Sequence, residues 1–160
     1  MNKIILTILL SIFVTTNSVA CTCIVINESL SKKVIKSFNQ SDFILTGKVI
    51  SKEDKRSSDK SQSSFDPIIY RFEIKNIIKG NINTRIVAIA SPRDGSSCGY
   101  SFEIGKSYLV YGRESEQFSS ITKNKLDFVS SLCDRNQKLK IVKKRELRKL
   151  KRLAKQNLKK

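Results

Sequence analysis

This 160-residue sequence predicts a mainly β fold: a small barrel with one short helix before it and a basic helix after it. Closely spaced runs of β-branched and aromatic residues, separated by polar or Gly- and Pro-containing segments, point to short strands of the kind that make barrels and sandwiches. The clearest run, PIIYRFEIKNIIKG, sets Tyr70, Phe72 and Ile74 against Arg71, Glu73 and Lys75 in strict alternation, the signature of a strand buried on one face. Helical spacing of apolar residues flanks these runs on both sides.

The chain opens on MNKIILTILLSIFVTTNSVA. Lys3, the apolar run Ile4 to Val14 and the small residues Ser18-Val19-Ala20 have the layout of an export signal cleaved after Ala20. The apolar run is 11 residues long, short of the roughly 20 that a membrane span needs. Export would place the protein outside the cell, in the periplasm or in the cell envelope, with Cys21 as its first mature residue. Ser18, three residues before Cys21, argues against acylation of that cysteine, since lipoproteins carry a large aliphatic there. The chain beyond Ala20 is long enough for one domain, residues 21–137, and a basic tail, residues 138–160.

Four cysteines remain, Cys21, Cys23, Cys98 and Cys133. An even number in an exported chain reads as disulfides. A bridge from Cys21 to Cys23 would close a strained ring around one residue, so each should cross to Cys98 or Cys133. A four-thiolate zinc site is the competing use, but no C-x₂-C knuckle is present.

Next, NESLSKKVIKSF offers Asn27 as a cap and Leu30, Val34 and Phe38 as one apolar stripe, a short helix ending near Asn39. DFILTGKVISK reads as a strand and the polar segment Lys55–Ser64 as an exposed loop. After PIIYRFEIKNIIKG, the runs TRIVAIA, KSYLVYG and LDFVSSL complete about five strands, expected to be antiparallel. SPRDGSSCGYSF, with Pro92, Gly95 and Cys98, is a loop fixed by a bridge. Pattern alone leaves a barrel and a sandwich both open.

From Lys138 to Lys160 there are 12 Lys or Arg against Glu146 alone, so this segment carries +11 of the chain's net +17. Leu147, Leu150, Ala154 and Leu158 stand at helical spacing, which fits a solvated basic tail or an amphipathic helix for an anionic membrane or another polyanion. Because the basicity lies mainly outside the barrel, single-stranded nucleic acid is a poor candidate partner.

There is no histidine. Ser-His and Cys-His nucleophiles, the H-E-x-x-H zinc site and the usual neutral-pH proton shuttle are excluded. No phosphate-binding Gly-rich loop with its Lys is present. Glu73 and Glu103 remain as carboxylates, but they read as a solvated strand face. The sequence calls for no cofactor and no catalytic residue: it is not that of an enzyme.

Five motifs in order, Cys21-Thr22-Cys23, YRFEIKNIIKG, SSCGYSF, KSYLVYG and VSSLCDR, together resemble the N-terminal inhibitory domain of the tissue inhibitors of metalloproteinases, of the small bacterial exported type. The resemblance implies a closed five-stranded OB-fold barrel, also called netrin-like, with bridges Cys21–Cys98 and Cys23–Cys133. It further implies that the free α-amino group and carbonyl of Cys21 chelate the zinc of a metalloproteinase. Thr22 would then enter the protease's specificity pocket, and the loop Ser96-Ser97-Cys98-Gly99 would form a second contact edge. The third bridge and the additional cysteine-rich domain of the animal members have no counterpart here. The alternative expectation is a non-inhibitory, disulfide-stapled envelope binding or adhesion module attached through Lys138–Lys160.

Overall fold

In a computed structural model the described residues are 21–23, 27–55 and 66–158. The expected export signal lies outside them, as does nearly all of the expected loop Lys55–Ser64.

Helix α1 spans Leu30–Gln40, with Val34 and Phe38 buried. Its cap is Ser29, whose hydroxyl accepts from the Lys32 amide, and not Asn27. The cap must directly precede the first helical residue for its oxygen to reach the first-turn amides, and Asn27 stands two positions too early.

Five strands come after it: β1 (Phe43–Asp54), β2 (Pro67–Lys79), β3 (Ile86–Pro92), β4 (Ser107–Ser115) and β5 (Asp127–Val129). They hydrogen-bond in the order β1-β2-β3-β5-β4, and β4 returns to β1 through the register Phe43 to Gly112 and Lys48 to Ser107. That last pairing closes the sheet into a barrel, removing its free edges. One pairing departs from the antiparallel expectation: β3 and β5 run parallel, Ile89 opposite Phe128 and Ala90 opposite Val129. The strand-poor connection from β4 through α2 (Ser119–Thr122) lets β5 enter beside β3 in that direction. A sixth strand, β6 (Gln137–Lys138), adds to β4.

Curvature is built at Gly47, where the β1–β2 register shifts. A Cβ there would stand 2.9 Å from the Glu73 carbonyl oxygen, so only glycine lets the two strands approach this closely. The barrel interior holds Phe43, Leu45, Val49, Tyr70, Phe72, Ile89, Tyr108 and Val110, with Phe102 making edge-to-face contacts to Tyr70, Phe72 and Tyr108 at 5.1 Å between ring centroids.

KSYLVYG lacks the polar alternation of β2 because β4 is buried on both faces. Tyr108 and Val110 point into the barrel, whereas Leu109 and Tyr111 join Ile44, Val34, Phe38, Val142 and Leu150 in a second cluster outside it. That second cluster is roofed by α1 and by α3 (Lys144–Asn157). The basic segment's helix therefore docks on the barrel: Leu150 is fully buried, and Leu147 and Leu153 pack beside it. Leu158, expected on the same stripe, stands 88% exposed beyond the end of the helix, and Leu153 packs in that face instead.

Glu146 on α3 is 1% exposed, yet fully partnered. Its carboxylate accepts from Arg135 at 2.8 and 2.9 Å, from the Tyr111 hydroxyl at 3.0 Å, and more distantly from Gln137. Burial, reinforced by the Glu146 charge and its hydrogen bond, pushes the Tyr111 phenol far above its ordinary range. Burial also works against the Arg135 charge, but the Glu146 carboxylate outweighs it and holds the guanidinium ionised.

Candidate functional site: the cystine ridge

The strand β3 ends at Pro92, and the chain must then turn back toward β4. Asp94 organises that turn. Its Oδ1 accepts from the amides of Ser96 (3.0 Å) and Ser97 (3.2 Å) and from both of their hydroxyls (2.6 and 3.2 Å). The resulting 3-10 turn, Gly95–Ser97, ends at Cys98, which adopts the left-handed conformation at φ 64°. Gly99 then donates its amide to the Asp94 carbonyl at 2.6 Å. A Cβ at Gly99 would lie 2.7 Å from that same oxygen, so no other residue fits. The Ser96 hydroxyl, then the Ser97 amide, hold the exposed Asp94 carboxyl below the usual carboxylate range.

A second loop closes on the first. The Leu132 amide donates to the Cys98 carbonyl at 2.7 Å. Beside it, Asp134 accepts from the Ser131 amide (2.7 Å) and hydroxyl (2.9 Å), shaping the turn that carries Cys133. Burial pushes the Asp134 carboxyl up, against the pull of those Ser131 hydrogen bonds.

Both loops are tied to the N-terminal segment. Cys21 is bridged to Cys98 and Cys23 to Cys133, each pair with Cα atoms 5.2 Å apart, which is the pairing the resemblance implied. The Cys21 and Cys133 sulfurs lie 4.0 Å apart, so the two bridges sit side by side. Three of the sulfurs fall within 4.8 Å of one another, close enough for a metal, but no cysteine is free. Disulfide sulfurs are not thiolate ligands, so the expected bridges are formed and the competing four-thiolate zinc use is ruled out.

Between half-buried Cys21 and Cys23, Thr22 is exposed. Ser96 is exposed as well, and Ser97 and Gly99 are half-buried. The structure thus brings the segment of Cys21 and Thr22 and the loop of Ser96, Ser97 and Gly99 together through one covalent link. Asp94 went unnoticed in the sequence, although an Asp-Gly pair ahead of two serines carries the signal of a side-chain-capped turn. Glu73, on β2, pairs with Arg85 as expected of a solvated strand face; Glu103 pairs with Lys138 but lies in the loop before β4 and not on a strand, because the chain there is still returning from the Cys98 turn.

A family model described as tissue inhibitor of metalloproteinase matches residues 19–153. The chain belongs to that family. The match covers the ridge, the whole barrel and α3 as far as Leu153. The family consists of inhibitors, and this member is not an enzyme. No curated protein sequence matches the chain.

Proposed function

We propose that this protein inhibits a zinc metalloendopeptidase through the first residue of its mature, exported form, Cys21. The observation that carries the reading is the pair of bridges at Cys21 and Cys23, which fix the backbone on either side of an exposed Thr22. A segment held this way is already ordered before it meets a partner, so less entropy is lost on binding.

The chemistry asks for cleavage after Ala20, which frees the α-amino group. That group has a pKa of about 8 and is partly neutral at pH 7. Its nitrogen and the Cys21 carbonyl oxygen are ligands that zinc accepts, and a catalytic zinc site keeps one position open for water. Occupying that position displaces the nucleophile. Thr22 then projects toward the specificity pocket, while Ser96, Ser97 and Gly99 supply a second edge of contact. The zinc belongs to the protease; the inhibitor needs none of its own.

The envelope-module reading draws no support from α3, because the apolar face that would enter a membrane is packed against α1 and the barrel. The deciding experiment places one alanine before Cys21, or acetylates its amine, and measures inhibition constants against a panel of zinc endopeptidases. Either change should remove nearly all inhibition and leave the circular dichroism spectrum unaltered. Undiminished inhibition by the extended protein, or no inhibition of any protease by the mature one, would overturn the chelation reading.

A further inference from the structure

Between the N-terminal end of α1 and one face of α3 lies an open cleft of about 520 Å³. Leu30 and Val34 line it from the α1 side. From α3 come Arg145, Arg148, Lys149 and Arg152, at i, i+3, i+4 and i+7, so they share one helical face. The cleft shares no residue with the cystine ridge.

Four positive charges around one small cavity repel each other unless something answers them. Glu146 also borders the cleft, but its carboxylate is committed to Arg135, Tyr111 and Gln137. Among the described residues no carboxylate pairs with any of the four cations. The first turn of α1 holds no acidic residue either, so its amides add to the positive potential at the mouth of the cleft.

We propose that this cleft is a binding site for a ligand carrying clustered phosphate groups. Three guanidinium forks match phosphate oxygens in geometry as well as in charge, and four cations exceed what a single carboxylate would neutralise. The site is compact: from Arg145 to Arg152 the helix rises roughly 10 Å, the size of a diphosphate or a phosphorylated headgroup rather than of a long polyanion. The docked helix makes the cleft, so the basic segment acts here as a folded receptor and not as a membrane-inserting tail.

Inorganic pyrophosphate is the probe for the site, and vesicles of phosphatidylglycerol, with phosphatidylcholine as the neutral control, test whether the phosphates come from a lipid. Isothermal titration on the full mature chain should show pyrophosphate binding that falls at least tenfold in the double variant Arg148→Gln, Arg152→Gln. The control Lys151→Gln, Lys155→Gln removes the same charge from exposed α3 positions outside the cleft and should retain most of the affinity. Loss of vesicle binding in the cleft variant alone would assign the ligand to a lipid headgroup. Pyrophosphate binding without vesicle binding would assign it to a soluble phosphate compound. Equal weakening by both variants, which is the behaviour of diffuse charge, or binding of neither probe, overturns the proposal. Inhibition of proteases should be the same in all these variants, so this site and the ridge can fail separately.

Discussion

Thr22 stands exposed between half-buried Cys21 and Cys23, whereas α3 buries Leu150 completely and sinks Glu146 into a polar network with Arg135, Tyr111 and Gln137. Both are segments that must be held against the same barrel. The ridge has no large apolar side chain among these three residues with which to adhere, so two covalent bonds do the holding and Thr22 faces outward. The helix owns a leucine stripe and needs no covalent bond. Its exposed face, relieved of packing duties, carries the cations. The difference teaches that a segment without apolar side chains of its own can be held from behind by bonds that leave its outer surface free of packing.

The comparison would break first under removal of a bridge. Replacing Cys21 and Cys98 together by serine should lower stability by about 2–5 kcal/mol and abolish inhibition, since the ridge loses its link to the loop of Ser96 and Ser97. Hydrogen exchange should locate the loosening at residues 94–99, with α3 amides as protected, relative to global stability, as before. Equal loosening of α3 would mean that the two regions are not held independently.

Leu150→Ala makes the reciprocal cut. A leucine truncated in a closed core costs about 2–5 kcal/mol, read here from the urea midpoint, and faster exchange should centre on α3. Inhibition constants should stay within experimental error of the parent protein. A weakened inhibitor would show that the helix supports the ridge.

The two regions were unequally legible. The ridge lay open in the sequence because cysteines are few and their pairing follows from family resemblance. The stripe Leu30, Val34 and Phe38 was likewise readable, since one helical face meets one partner surface. Three things were not. The parallel pairing of β3 with β5 depends on only two residue pairs, too short to leave a pattern in LDFVSSL. The double burial of β4 could be seen only once α1 and α3 covered its outer face. Most of all, the docking of α3 was hidden by its charge: a segment with +11 reads as solvated, and nothing in composition reveals that Arg135, outside it, neutralises its single glutamate from below.

Thr22→Gly sharpens the comparison at lower amplitude. A single small side chain in a protease pocket is worth about 1–3 kcal/mol, so inhibition should weaken by that amount and the ranking of sensitive proteases should change. Stability should hold, because Thr22 is exposed and both neighbours remain bridged. Lost stability without a change in ranking would make Thr22 a structural residue rather than a contact.

The smallest effect tests how the second edge of the ridge is kept in shape. Asp94 has its pKa lowered in the folded protein by hydrogen bonds from the Ser96 hydroxyl, first, and the Ser97 amide. A depressed folded pKa means that the ionised form favours folding. The contribution is present above the unfolded value of about 3.9 and disappears as pH falls from there through the lower folded value. Asp134, flanking Cys133, acts in the opposite sense: burial raises its folded pKa, so its ionisation opposes folding as pH climbs out of the carboxylate range. Thermal midpoints of the parent and Asp94→Asn proteins, compared from about pH 6 down to about pH 2, separate the two. The parent should lead at the neutral end and converge with the variant in acid, because only the parent can lose a carboxylate at this turn. Asn keeps one acceptor oxygen, so the turn and inhibition near neutrality should be nearly preserved. A gap that stays constant across the series would mean that the charge of Asp94 contributes nothing and that the loop is shaped by its bridge and Gly99 alone.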